Sequence, residues 1–141
     1  MLNTTIVSRI TTPAEYRAIC EAVGWGSIIN FDAAPESLRR SLYGVIALSG
    51  DQAVGMGRVV GDGVMYFYIQ DIAVLPAYQG QGIGTAIMDA LMTWVRRTAA
   101  PQAFVGLFAA PAAIRFYRKY GFMIPPPDDL TGMFAVIQPP H

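Results

Sequence analysis

The chain has 141 residues, 53% hydrophobic and 14% charged, the size of one domain with a sizeable core. Its 10 basic and 10 acidic residues cancel, so no basic surplus exists to grip a nucleic-acid backbone. Cys20 is the only cysteine and the terminal His141 the only histidine, which excludes an internal disulfide and a zinc cluster, and argues against Cys–His or Ser–His catalysis. The N-terminal MLNTTIVSRI lacks the charged start and long apolar stretch of a signal peptide, and no apolar run reaches membrane-spanning length. The expectation is a single domain over 1–141, cytoplasmic, without nucleic-acid or membrane partners.

In chain order, residues 4–10 read as a first strand. Thr12 caps a helix, Pro13 suits its first position, and Glu15 lies in its first turn. Tyr16, Ile19, Cys20 and Val23 form one apolar stripe, Cys20 reads as a small core residue, and Gly24 ends the helix. Residues 35–41 read as a second short helix. Strands follow at 45–49 and 53–60, joined by the turn residues Ser49-Gly50-Asp51. Gly55 and Gly57 inside the latter imply a bulge or a close backbone neighbour. Gly61-Asp62-Gly63 turns the chain into a central strand over 65–75, too long and apolar for an edge.

Ile83, Ile87, Leu91, Trp94 and Val95 recur at helical spacing, and Pro101 closes that region. Residues 103–108 read as a buried strand parallel to the central one after a right-handed crossover. A short helix over 111–120 ends at Gly121, Pro125-Pro126-Pro127 is a stiff connector, and residues 132–138 read as a last edge strand. The order β-α-α-β-β-β-α-β-α-β is mixed, an antiparallel meander running into one βαβ unit.

The glycine-rich turn between central strand and long helix carries the chemistry. The first amides of a helix lack partners within it, and aligned peptide dipoles make that end partly positive. Glycines let the backbone turn sharply and approach an anion. Residues 79–85 therefore read as a site for a phosphate-bearing ligand. A P-loop would need Gly-Lys-Ser or Gly-Lys-Thr, and the loop has no lysine. A dinucleotide fingerprint needs a third glycine where Thr85 stands, and no acid follows in Ala99–Phe104.

Gln79-Gly80-Gln81-Gly82-Ile83-Gly84 instead matches Q/R-x-x-G-x-G/A, the acyl-CoA diphosphate loop of the GNAT superfamily of N-acetyltransferases. Asp71-Ile72-Ala73-Val74-Leu75-Pro76 resembles that family's preceding strand, which ends in Val-x-Pro. Ala113 to Phe122, reading AIRFYRKYGF, resembles its second signature, a helix with Phe-Tyr that ends at Gly-Phe. The resemblance implies the GNAT acyl-CoA N-acyltransferase fold, a central mixed, mostly antiparallel sheet with flanking helices. It implies acetyl-CoA as co-substrate and direct transfer of its acetyl group to a primary amine in a ternary complex, with no metal. A small-molecule acceptor is the first reading; a protein lysine or N-terminus, and a non-catalytic CoA-binding module, are the alternatives.

The resemblance also implies roles. Amides from Gln79 through Gly80, Gln81, Gly82, Ile83, Gly84 and Thr85 would bind the diphosphate. Backbone groups of Ile72, Ala73 and Val74 would pair with the pantetheine arm like an added strand, one amide polarising the thioester carbonyl. Tyr117 matches the tyrosine that protonates the departing sulfur; core packing is the alternative. Some relatives carry a glutamate base near the place of Tyr68; here Asp71 is the only carboxylate in the strand. It could act as base, order a water relay or cap a strand bulge. Tyr66 and Tyr68 are further base candidates through water. Ala110 stands where many relatives have an asparagine that contacts the cofactor. Trp25, Phe31, Tyr66, Phe67 and Tyr68, with Glu21, Asp32 and Glu36, would suit an amine or line a core. Relatives pair through C-terminal strands, so the apolar segment from Met133 to Ile137 also implies a homodimer.

Overall fold

Five strands build the scaffold: β1 (Thr4–Val7), β2 (Tyr43–Ser49), β3 (Gln52–Gly61), β4 (Tyr66–Val74) and β5 (Phe104–Gly106). The computed structural model describes residues 3–140, so His141 lies outside the described residues. The helices are α1 (Pro13–Ala22), α2 (Ala34–Arg39), α3 (Ile83–Thr98) and α4 (Ile114–Arg118). Backbone contacts divide the chain into two compact units, Met1–Leu107 and Phe108–His141. The first holds the whole sheet with α1, α2 and α3; the second holds α4. The sheet order is β1-β2-β3-β4-β5, antiparallel through β4 and parallel between β4 and β5. The expected mixed α/β architecture, a mostly antiparallel sheet with one βαβ unit and flanking helices, is thus the observed one.

Local chemistry explains α1 at both ends. The Glu15 amide donates to Thr12 Oγ1 at 3.1 Å, and the Thr12 amide donates to Glu15 Oε1 at 2.8 Å, a reciprocal capping box. Arg9 grips the same carboxylate with two N–H groups at 2.8 and 2.9 Å. The Arg9 hydrogen bond, with further help from Thr12, lowers the Glu15 carboxyl to about 2. At the other end Gly24 adopts φ +89°, and the Trp25 amide reaches back to the Cys20 carbonyl at 2.8 Å. Only a residue without a Cβ takes that left-handed turn at little cost.

The helices cover opposite faces of the sheet. On one, Tyr16, Ile19 and Cys20 of α1 and Ala34 and Leu38 of α2 form a buried cluster with Met56 and Ala73. Burial pushes the Cys20 thiol up to about 11, so it remains a neutral packing group. On the other, Ile83, Ile87, Met88, Leu91, Met92 and Val95 form the buried stripe of α3. Each such side chain contributes about 1.5–3 kcal/mol of apolar burial. Trp94 stacks on Tyr43 at 5.0 Å between ring centres and meets the edge of Phe67 at 6.2 Å.

α3 packs tightly against Gly57. A Cβ there would stand 2.7 Å from Ile72 Cδ1, 2.8 Å from Ile87 Cγ2 and 3.0 Å from Leu91 Cδ1. Close approach of the helix is therefore the reason for glycine in this strand. Bulges are present too: in β3 itself Ala47 pairs with Gly55 and Leu48 with Ala53, leaving Val54 extra, and in β4 Met56 pairs with Ala73 and Arg58 with Gln70, so Asp71 and Ile72 together face Gly57.

Three strands differ from expectation, and the first of them, read over 4–10, ends at Val7. The fifth was read as buried over 103–108; only Phe104–Gly106 pairs, and Phe104 is 66% exposed. An apolar run does not reveal whether a strand is central or at an edge. Residues 132–138, read as an edge strand, form no strand and are exposed. Strand conformation needs a paired neighbour for its backbone polar groups, and the second unit contains no strand among the described residues.

Two outcomes test this packing. Gly57→Ala is expected to lower stability by about 1–3 kcal/mol in urea unfolding; an unchanged midpoint would refute the tight seat under α3. Glu15→Gln is expected to cost about 1 kcal/mol at neutral pH. Because the folded-state carboxyl is depressed, its contribution is present above the ordinary carboxylate range and is lost as pH falls from 4.5 toward about 2. The variant's acid unfolding curve should lack that component, and an identical acid limb would contradict it.

Candidate active site

The site begins with the end of β4. β5 pairs with β4 only at Tyr66, Phe67 and Tyr68, so beyond Tyr68 that flank of β4 has no strand beside it among the described residues. The other flank stays paired with β3, with Met56 opposite Ala73 and Gly55 opposite Val74. Ile72, Ala73 and Val74 thus belong to a strand fixed on one side and open, within the sheet, on the other.

The chain then passes through a 3-10 turn, Pro76–Tyr78, into the glycine loop. Gln79 Nε2 donates to the Val74 carbonyl at 3.0 Å, tying the loop back to the strand. Gly80 and Gly82 have φ +78° and +84°, and Gly82 is the residue that precedes α3. No side chain caps this helix, whose first backbone bond is donated by Ala86 to the Gly82 carbonyl at 3.0 Å. The amides of Ile83 and Gly84 therefore lie at the partly positive end of a 16-residue helix. Apart from the adjoining residues and the backbone of α3 itself, no heavy atom lies within 4 Å of the place a Cβ would take at Gly80, Gly82 or Gly84. These glycines are not filled against packing, and the space before them suits the approach of an anionic group. The sequence motif Gln79–Thr85 is assembled as one loop at one helix start.

Asp71 occupies the bulge in β4 with φ +61°, a left-handed conformation that costs a non-glycine residue about 1–2 kcal/mol. Its residue is 6% exposed. Arg58 Nε donates to Oδ2 at 2.7 Å; Gln70 Nε2 and the Tyr16 hydroxyl donate to Oδ1 at 3.1 and 3.4 Å. Burial first, then the Asp71 charge, pushes the Tyr16 phenol well above its ordinary value, so it is a donor at all physiological pH. A cavity of about 10 Å³ adjoins these residues, lined among others by Tyr16, Leu38, Arg58 and Asp71. That is room for about one water. The bulge also inverts the facing of the strand. Phe67 points toward Trp94 under α3, whereas after the bulge Ile72 takes that side and Ala73 joins the α1 cluster.

Arg58 escaped the sequence reading. The available signal was an arginine as the only charged residue in β3, next to a strand whose only charge is Asp71. A cation and an anion isolated in adjacent apolar strands have each other as their natural partner.

The acceptor-side residues are only partly as expected. Trp25 and Phe31 pack on the α1 cluster, and Phe67 is buried beneath α3. Tyr66 is 57% exposed and Tyr68 half-buried on the strand. Glu21 pairs with Arg17 at 2.8 Å, and Glu36 with Arg39 and Arg40. Arg17 also lies over the Phe31 ring at 4.7 Å. Both carboxylates are thus paired with arginines.

In the second unit, Tyr117 is half-buried on α4, which follows the turn Pro111–Ala113 after Ala110. Its ring meets Phe116 and Phe122 edge-on at 5.1 and 6.3 Å. Burial raises its pKa, so the phenol keeps its proton through neutral pH. Gly121 ends the segment with φ +91°. Among the described residues no group of three or more metal-ligating side chains occurs, and no helix is long and apolar enough to cross a membrane.

Comparison with known proteins agrees with this geometry. Residues 40–124 match the model of the acetyltransferase (GNAT) domain. An uncharacterised N-acetyltransferase, ycf52, of Porphyra purpurea is 34% identical over 125 residues, covering 85% of this chain and 69% of that one. The chloroplastic serotonin N-acetyltransferase 2 of Oryza sativa subsp. japonica is 35% identical over 60% of this chain, which spans 41% of that protein. The histone acetyltransferase TAP1 of Glycine max is 31% identical over 85% of this chain, which spans 55% of that protein. Among solved structures, a probable acetyltransferase of methicillin-resistant Staphylococcus aureus superposes with a TM-score of 0.86 at 36% identity, covering 95% of this chain and 99% of that one. With its domain, its relatives and its architecture in agreement, the chain belongs to the GNAT family and is an acetyltransferase.

Proposed function

We propose that the chain transfers an acetyl group from acetyl-CoA to the primary amine of a small molecule, both substrates being bound together. The observation that carries this reading is the open flank of Ile72–Val74 running directly into the glycine loop at the start of α3. A strand flank can pair with an amide-bearing pantetheine arm, and the loop amides can hold a diphosphate. GNAT proteins use acetyl-CoA as co-substrate. In this reading Gln79 braces the loop, Gly80 and Gly82 supply its left-handed turns, and the amides from Gln81 to Thr85 face the diphosphate.

The amine nitrogen attacks the thioester carbonyl; the N–C bond forms, the C–S bond breaks, the amine gives up a proton and the thiolate takes one. A main-chain amide of Ile72, Ala73 or Val74 polarises the carbonyl. Tyr117 supplies the thiolate's proton, a task for which a phenol held protonated is suited. Asp71 is assigned to holding the bulge rather than to taking the amine's proton, because three donors already occupy its oxygens. The amine's proton leaves through water near Tyr66 or Tyr68.

A small amine is favoured over a basic peptide because Glu21 and Glu36 are neutralised internally. The exposed ring of Tyr66 suits an aryl-alkylamine. The exposed side chains of Met133, Phe134, Val136 and Ile137 favour pairing with a second copy of the chain.

Titration calorimetry of the purified chain with acetyl-CoA is expected to show saturable binding, weakened at least tenfold by Gly82→Val, since φ +84° is disfavoured for a branched residue. Absence of binding by the unaltered chain would remove the reading. With serotonin and a lysine-rich peptide as alternative acceptors, thiol release is expected for the amine, and release with the peptide alone would reassign the acceptor. Tyr117→Phe is expected to lower kcat about 10²–10⁴-fold with little change in acetyl-CoA affinity; equal turnover would take Tyr117 out of the mechanism.

A further inference from the structure

Arg58 connects the bulge of β4 with α2. Its Nε holds Asp71 Oδ2 at 2.7 Å. The other end of the guanidinium donates from one terminal nitrogen to the Ser37 carbonyl and Ser41 Oγ, both at 3.1 Å, and from the second to Ser37 Oγ at 3.3 Å. Ser37 belongs to α2, and Ser41 follows that helix closely. The planar fork also lies 5.9 Å from the Tyr16 ring, so α1 contacts the same cation. The side chain of Arg58 is 11% exposed and that of Asp71 2% exposed. A pair this deep is held mainly by geometry and mutual neutralisation, since the protein interior screens it little.

The position of Asp71 gives the pair its consequence. Asp71 is the left-handed residue of the bulge, and the next three residues are the open-flanked Ile72, Ala73 and Val74. The bulge decides which backbone groups of those residues turn outward.

We propose that Arg58 is a positioning residue: it locks the Asp71 bulge to the C-terminal end of α2, and so sets the orientation of the Ile72–Val74 backbone that meets the acyl-CoA arm. This rests on the acetyl-CoA reading above. Charge compensation alone could be done by any cation of similar reach. The bridge needs a fork with donors at both ends, which arginine has and lysine lacks.

Arg58→Lys separates the two tasks, because the ammonium still neutralises Asp71 and cannot also span to Ser37 and Ser41. The test compares wild type, Arg58→Lys and the double variant Arg58→Met with Asp71→Asn, which removes both charges and keeps neither bridge. Calorimetry is run with acetyl-CoA and with ADP, which offers the diphosphate without the pantetheine arm. Amide hydrogen exchange is followed at residues 71–74. The expected result is a folded Arg58→Lys protein whose acetyl-CoA affinity falls about tenfold, whose ADP affinity stays within about twofold, and whose exchange at 71–74 rises about tenfold. The double variant is expected to fold and to show the same selective loss. Wild-type acetyl-CoA affinity and exchange in Arg58→Lys would overturn the inference while leaving the acetyl-CoA reading intact. Equal losses for acetyl-CoA and ADP would also overturn it, as they indicate general loosening. No acetyl-CoA binding by the wild type would overturn the underlying reading and this inference with it.

Discussion

A carboxylate placed in the middle of an apolar sheet is tolerable only with a cation beside it, and the pair formed by Asp71 and Arg58 meets that condition. The condition has structural reach. To bring Asp71 to the α1 side, the strand takes an extra residue and a left-handed turn. The extra residue reverses the facing of everything after it. Ile72 passes to the α3 face, where it packs beside Gly57, and Ala73 enters the cluster beneath α1. An unbulged strand would have faced its last residues the other way.

The remaining site features follow from where chain elements stop. β5 is three residues long, and its shortness leaves one flank of the end of β4 without a strand. The loop after β4 has two glycines in left-handed conformations, and no capping side chain follows at the start of α3. The chain brings a backbone ladder and a helix terminus into sequence with each other using few specialised side chains.

What was legible in the sequence was local. Thr12 as the cap of α1 with Glu15 in its first turn, Gly24 as the end of that helix and a glycine turn before α3 each depend on neighbours a few residues away, and these local features appear as read. The family was legible for the same reason, since both of its motifs are continuous. What was missed depends on distant partners. Arg58 lies 13 positions from Asp71 and forms its bridge to α2 only in the folded sheet. Phe67 was grouped with Tyr66 and Tyr68, but alternation along β4 sends it under Trp94. The strand expected over 132–138 failed because its apolar, branched residues describe a preference, and a preference becomes a strand only beside another one.

The absence of a side chain at Gly57 carries one last implication. Ile87 and Leu91 of α3 and Ile72 of β4 converge on the vacant position, so the helix rests directly on backbone. The depth of that rest fixes how high the helix start stands above the strand end. Residue 57 and the underside of α3 are then a lock and its key in evolutionary terms: a methyl gained by the strand has to be surrendered by the helix. Among homologues, bulk at these places should trade off at constant total volume, and a lineage that changes one without the other would tilt the glycine loop away from the strand it serves.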